Sequence, residues 1–223
     1  MKVKVCGMRE PDNITALLEL PVDMLGFIFH PASPRFVGER DDLPAWIAQH
    51  EDLFGHVRRV GVFVNAEIDD ILNATHDYAL HYVQLHGAEP PEYLAELQRF
   101  WNMSSFRKAG LIKAFGVDAQ FDAGLTQAYE PYCAYFLFDT KTPKHGGSGK
   151  SFEWRLLESY TGSIPFLLSG GIEEESLPAL RAWSHPRWVG VDINSRFETS
   201  PGQKDPVRIE RFIREFVPEK FSA

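Results

Sequence analysis

An α/β fold, a single (β/α)₈ barrel (TIM barrel) domain over residues 1–223, follows from three observations in the sequence. Short, β-rich apolar runs recur eight times along the chain. Segments with helical spacing and helix-start signals lie between them, which gives a parallel sheet with helical crossovers. No Gly-x-Gly-x-x-Gly follows the first run, so the main support for an open dinucleotide-binding sheet is missing, and eight units suit closure into a barrel.

The predicted strands, in order, are "KVKVC" (2–6), "MLGFIF" (24–29), "RRVGVFV" (58–64), "LHYVQLH" (80–86), "GLIKAF" (110–115), "CAYFLFD" (133–139), "IPFLLS" (164–169) and "RWVGVDI" (187–193). Helices are predicted in "EPDNITALLEL" (10–20), "NAEIDDILNAT" (65–75), "EPPEYLAELQRF" (89–100), "GKSFEWRLLESY" (149–160), "IEEESLPALRAW" (172–183) and "DPVRIERFIREF" (205–216). Several of these carry Pro or acidic residues in the first turn, and Leu17, Leu18 and Leu20, or Ile68, Ile71 and Leu72, gather on one side. No linker, low-complexity segment or charge block divides the chain.

Composition narrows the functional class. Hydrophobic residues make up 44% and charged residues 24%, ordinary values for a globular enzyme, and the formal net charge is −8. That balance argues against a nucleic-acid or membrane-surface binder, since both need a basic face, but leaves room for a small anionic ligand held locally. The two cysteines, Cys6 and Cys133, form neither a metal-ligand spacing nor a disulfide framework, and the pairs His76/His81 and His50/His56 lack the spacing of a helical metal site. With no apolar leader or membrane-length run, a cytoplasmic protein is expected.

In a barrel of this kind the chemistry sits at the carboxyl ends of the strands. Those ends supply Cys6, His30, Asn65, His86, Asp139, Ser169 and Asp192. Residues two apart on a strand share a face. Cys6 therefore shares one with Lys4, His86 with Gln84, Asp139 with Leu137, and Asp192 with Gly190. The alternating partners Val3 and Val5, Val83 and Leu85, Phe136 and Phe138, and Val189 and Val191 suit the layer beneath the helices. The polar set is expected to face the barrel mouth.

Two loops carry an anion-binding signal. "LLSGGIEEES" is a strand, a glycine pair (Gly170, Gly171) and a helix start, where N–H groups meet anions. "VDINSRFETSPGQKD" follows the next strand and offers Asn194 and Ser195. Phosphate-binding loops after strands seven and eight are common in barrels. A third glycine-rich stretch, "KTPKHGGSGKS" (141–151), ends like a nucleotide-binding P-loop. Its required first glycine, five residues before Gly149, is Lys144, so no nucleotide site is expected there.

These residues carry a resemblance. "KVCGM", "GFIFHPASPRFV", "VQLHG", "FDT", "GGSGKSFEW", "LSGGI" and "VDINSRFETSPGQKD", in that order from Lys2 to about Asp205, resemble the phosphoribosylanthranilate isomerase family of tryptophan biosynthesis. His30, Ala32 and Asn194 depart from the residues usual there. The resemblance implies an Amadori rearrangement of N-(5′-phosphoribosyl)anthranilate to 1-(o-carboxyphenylamino)-1-deoxyribulose 5-phosphate, without cofactor or metal. It implies Cys6 as general base, Asp139 as general acid, and Arg35 against the anthranilate carboxylate, where a guanidinium fork suits a planar anion. It also implies His86 and Asp192 as polar contacts to the reacting region, and Gly170, Gly171, Asn194 and Ser195 as the phosphate cradle. Residues 141–150 become a flap beside the acid, and the partner is a phosphorylated small molecule, with a monomer or weak homodimer as the expected state.

The chemistry sets two conditions. A free thiol titrates near about 8.5, so Cys6 needs nearby positive charge, and Lys4 on its strand face is the candidate. A free Asp is ionised at neutral pH, so Asp139 needs a closed site or a like-charged neighbour to act as an acid. Two alternatives stand beside this reading. A related barrel isomerase of histidine biosynthesis performs the same rearrangement with two Asp residues, and Cys6 here occupies the first of those positions. A barrel that only binds a sugar phosphate would keep the loops but lose the acid or the base.

Overall fold

The computed structural model describes residues 1–103, 107–140 and 154–221. Eight parallel strands, β1 (Lys2–Cys6), β2 (Met24–Ile28), β3 (Arg58–Phe63), β4 (Tyr82–Leu85), β5 (Gly110–Val117), β6 (Cys133–Thr140), β7 (Phe166–Ser169) and β8 (Trp188–Ile193), close into a barrel in chain order. β8 pairs back onto β1, with Lys4 opposite Asp192. Each predicted run matches its strand to within two residues at either end, because the β-rich runs are the stretches buried on both faces.

Around the barrel lie α1 (Pro11–Leu18), α2 (Leu43–Gln49), α3 (Glu51–Phe54), α4 (Ile68–Asp77), α5 (Pro91–Met103), α6 (Leu177–Ala182) and α7 (Pro206–Phe216). α2 and α3 were not anticipated. They are short, and their buried face consists of Leu43, Ile47 and Phe54 alone, too few positions to show a helical period. The segment predicted as a helix at 149–160 is, in its described part, a 3₁₀ turn over Trp154–Ser159. Its buried residues Trp154 and Leu157 stand three apart, the spacing that a 3₁₀ turn aligns. α7 shows the opposite case: Asp205 caps it by accepting from the Val207 and Arg208 amides, and Ile209, Phe212, Ile213 and Phe216 form one buried stripe.

Strand alternation divides the core into two groups. Val3, Val5, Phe27, Val83, Phe136, Phe138 and Val191 face the helices. Met24, Val60, Ile112, Ala114, Leu137 and Leu167 fill the barrel interior. Val189 departs from the expected outward face, because a register irregularity between β7 and β8 opposite it turns it onto the interior group. Further along the same inward faces, toward the carboxyl ends, the side chains become polar: Cys6, Gln84, Asp139, Ser169 and Asp192. The apolar interior thus floors a polar mouth.

One buried ion pair braces the layer outside this mouth. Lys113 of β5 donates to Glu89 (2.9 Å) and to the Gly87 carbonyl (2.8 Å), and Glu89 accepts the Asn65 and Gly87 amides. Asn65 adopts a left-handed φ of 47°, and its side chain accepts from the Ala88 amide. Both charges are buried. Lys113→Met is therefore expected to lower unfolding stability by about 3–5 kcal/mol in urea titration, because Glu89 is left as an unpaired buried carboxylate. A Lys113→Met, Glu89→Gln double variant should recover much of that loss.

Candidate active site

A cavity of about 300 Å³ opens at the carboxyl ends of the strands. Cys6 from β1 and Asp139 from β6 line it together, so the two residues singled out as base and acid share one compartment. His86, Asp192 and Ser169 join them, with Ile28 and Val62 as apolar wall. Gly170 and Gly171 after β7, and Asn194 and Ser195 after β8, close the other side. His30 and Asn65, also at strand ends, do not line it: the His30 carbonyl accepts the Ser33 amide in a turn, and Asn65 braces the loop described above.

Asp139 is held by an imidazole. His86 Nε2 lies 3.2 Å from Asp139 Oδ2, and the Gln84 amide sits 2.8 Å from His86 Nδ1. Gln84 is buried, which fixes the ring from below, whereas His86 and Asp139 are each about one-third exposed toward the cavity (33% and 35%). A hydrogen donated by the Gln84 amide to Nδ1 selects the Nε2–H tautomer, which then donates to Asp139. Asp192 is a like-charged neighbour of Asp139 in the same cavity. Burial pushes the Asp192 carboxyl up, Lys4 opposes the rise, and the field of Asp139 adds to it.

Cys6 is almost fully buried (4% exposed) against Gly26 of β2. A Cβ at Gly26 would fall 2.8 Å from the sulfur, so only glycine leaves room for the thiol. Burial pushes the thiol's pKa up. Lys4 pulls it down, Asp192 pushes it further up, and Lys204 pulls it down, and burial prevails. Lys4 is thus present where expected, but its charge is shared with Asp192, 2.8 Å away, and the resting group is a thiol. The next residue, Gly7, has φ 81°, and its amide and that of Met8 both donate to the Gly26 carbonyl at 2.9 Å. A Cβ there would meet Arg35 Cδ at 2.6 Å and Asn194 Oδ1 at 2.8 Å.

Arg35 stands beside the cavity rather than in its lining. Its Nε and Nη2 bind the Glu198 carboxylate side-on at 2.8 and 2.5 Å. Glu198 opens a two-strand hairpin, β9 (Glu198–Ser200) and β10 (Gln203–Lys204), and also accepts from Lys204 and the Gly202 amide. Lys204 Nζ donates onward to Asn194 Oδ1 at 2.8 Å. The motif containing Glu198 and Lys204 was visible in the sequence, but the clamp of Glu198 on Arg35 was not, since it joins residues 163 apart.

Burial raises the Glu198 carboxyl, but the bonds from Arg35 and Lys204 outweigh it and hold the group below the ordinary value. A depressed carboxylate stabilises the fold fully above its unfolded value of about 4.3 and loses that contribution as pH falls toward its lower folded value. The Tm difference between the native chain and Glu198→Gln is therefore expected to be largest near neutrality and to shrink below about pH 4. A difference that grows on acidification would contradict the ion pairing.

The loops expected to hold an anion differ in one respect from that expectation. Gly170 (φ 95°) and Gly171 (φ 65°) turn the backbone at the cavity edge, but α6 starts only at Leu177. The intervening 3₁₀ turn, Glu174–Ser176, is closed by a reciprocal Glu173–Ser176 capping box, so the helix start is occupied by its own cap. The glycine pair, Ile172 and the turn at Ser195 line the cavity instead, joined by Arg196, which the sequence reading passed over. Residues 141–150, read as a flap, lie outside the described residues.

Fold and site define an enzyme of the barrel class, with a cluster of titratable side chains at the carboxyl ends of its strands and glycine-turned loops beside it. The chain belongs to the N-(5′-phosphoribosyl)anthranilate isomerase family, whose sequence model, N-(5'phosphoribosyl)anthranilate (PRA) isomerase, matches residues 3–215. It is 44% identical to N-(5'-phosphoribosyl)anthranilate isomerase of Parabacteroides distasonis over 217 residues, covering 97% of this chain and 94% of the relative. The crystal structure of phosphoribosyl anthranilate isomerase from Thermotoga maritima superposes with a TM-score of 0.78 at 34% identity, covering 97% and 98% of the two chains; the Thermotoga protein is dimeric. A phosphoribosyl anthranilate isomerase in complex with reduced 1-(o-carboxyphenylamino)-1-deoxyribulose 5-phosphate matches with a TM-score of 0.76 at 30% identity, covering 97% and 98%. Among the described residues no helix is long and apolar enough to cross a membrane.

Proposed function

We propose that this chain catalyses the Amadori rearrangement of N-(5′-phosphoribosyl)anthranilate to 1-(o-carboxyphenylamino)-1-deoxyribulose 5-phosphate in tryptophan biosynthesis, with Asp139 as general acid and Cys6 as general base. The observation that carries it is the shared cavity of Cys6 and Asp139, in a chain of this family. Protonation of the furanose oxygen by Asp139 opens the ring to an iminium. Cys6, as thiolate, then takes the proton from the neighbouring carbon, and the enolamine becomes the ketone. The iminium acidifies that carbon, so a modest base suffices. His86 orients Asp139 through the 3.2 Å contact.

Gly170, Gly171, Asn194 and Ser195 form the edge on which the phosphate is held, with Arg196 as an added cation. Arg35 meets the anthranilate carboxylate with the guanidinium edge that Glu198 leaves unused. The substrate is a phosphorylated small molecule, consistent with the ligand of the related complex. A cytoplasmic monomer or weak homodimer is the working expectation, and sedimentation velocity over a wide concentration range measures the association.

The direct test is the fluorescence of freshly generated N-(5′-phosphoribosyl)anthranilate, which should decay on adding the protein. Sound protein that leaves the signal unchanged while binding a product analogue would support a binding-only barrel instead. Arg35→Lys should raise KM by about tenfold with little change in kcat, since a point charge replaces a two-point fork.

A further inference from the structure

The site has a buried charge pair that stability alone does not account for. Lys4 Nζ and Asp192 Oδ1 lie 2.8 Å apart inside the barrel, with side chains 0% and 5% exposed. Burying two charges is expensive, and a well-packed apolar pair of similar volume is commonly as stable or more so. The floor just below is apolar, so an apolar pair would be at home here.

What distinguishes the position is the sulfur. Lys4 and Cys6 share a strand face, and both approach the point that a Cβ on Gly26 would occupy: the sulfur at 2.8 Å, the ammonium at 3.2 Å. The two groups therefore lie inside the roughly 4–6 Å over which an opposite charge favours an ionised acid. Other charges reach the thiol as well: Asp192 from β8, Lys204 from β10, and Arg35 from the loop after β2. Lys204 and Arg35 share the Glu198 carboxylate and reach the sulfur from other segments, whereas Lys4, paired with Asp192, stands on the sulfur's own strand.

We infer that Lys4 is the counter-cation of the Cys6 thiolate and that Asp192 serves to keep Lys4 charged. Lys4 is a positioning residue here, since it is fully buried and outside the cavity lining. The thiol proton leaves to solvent before substrate is bound, the thiolate later takes the substrate's carbon-bound proton to form S–H, and Lys4 remains an ammonium throughout. The glycine at 26 is what lets both groups meet without a side chain between them. The inference rests on the base role of Cys6, and its test does not use turnover.

The experiment is carried out on Cys133→Ser protein, so that Cys6 is the remaining thiol. In this protein, ¹⁵N-lysine labelling should show the Lys4 Nζ resonance moving at the pH where iodoacetamide alkylation of Cys6 accelerates. In Lys4→Met, Asp192→Asn protein, where no unpaired charge is left buried, alkylation below the thiol's titration should slow roughly three- to tenfold and its pH profile should move to higher pH. A Lys4 resonance indifferent to Cys6 titration overturns the inference, as does an unchanged profile in the folded double variant. The resonance alone decides if that variant does not fold. Loss of the base reading looks different: Cys6→Ser would keep its turnover, while in the Cys133→Ser protein the Lys4 resonance still followed the Cys6 titration.

Discussion

Asp139→Asn is expected to lower kcat by about 10²–10⁴ while KM moves little, because the amide keeps the shape of the acid but has no proton to give. The ring oxygen gains charge only as the ring opens, so the interaction lost belongs to the transition state. The variant should fold normally: Asp139 is about one-third exposed, and its side-chain partner among the described residues, His86 Nε2, can donate equally well to an amide oxygen. Stopped-flow fluorescence separates binding from turnover, and equilibrium binding of a product analogue should be nearly unchanged. Near-normal turnover would remove Asp139 from the acid role. It would then point to His86, the other proton carrier on that wall, whose own replacement by Asn should show the smaller effect if Asp139 is the acid.

The barrel was legible because its strands are short runs buried on both sides, and such runs differ from their surroundings in composition alone. Alternation did more: from Val3, Val5 and their counterparts it placed Cys6, Gln84, Asp139 and Asp192 inward, where the cavity has them. Its one failure, Val189, lies opposite an irregularity between strands, a feature of pairing that one strand's own pattern does not contain. The short helices α2 and α3 escaped for a related reason, having too few turns to repeat a pattern. The glycine pair pointed correctly to the cavity edge, but the anion was expected at a helix start that Glu173 and Ser176 occupy.

What stayed hidden was the set of long-range clamps. Glu198 with Arg35, Asn13 with the backbone of Lys204, and Lys4 with Asp192 join the two ends of the chain, and the sequence separation of each pair is set by barrel closure alone. Gly7 illustrates how such constraints leave a mark without an explanation. The Cys-Gly pair stands out in the sequence, yet the reason for the glycine is the crowd of Arg35, Asn194 and Lys204 arriving from three other segments.

Cys6→Ser is expected to lower kcat by about 10²–10⁴ with product-analogue binding preserved, an effect as large as that at Asp139 but located at a different step. A hydroxyl is a far weaker acid than a thiol, so no useful alkoxide forms at the pH where thiolate does. Serine is also smaller than cysteine at sulfur, so the contact with Gly26 loosens rather than clashes, and the fold should hold. Ring opening depends on Asp139 and should survive, which makes proton removal rate-limiting: substrate deuterated at the carbon that loses its proton should show a larger isotope effect in the variant. The pH dependence is a second signature. Burial holds the Cys6 thiol above its ordinary value, so in Cys133→Ser protein alkylation of Cys6 should climb about tenfold per pH unit on the alkaline side of neutrality until the thiol is ionised. Turnover needs a protonated acid as well as the thiolate and should rise less steeply than alkylation. A Cys6→Ser variant that keeps the native turnover would assign proton removal to another group, with Asp192 the next candidate across the same cavity.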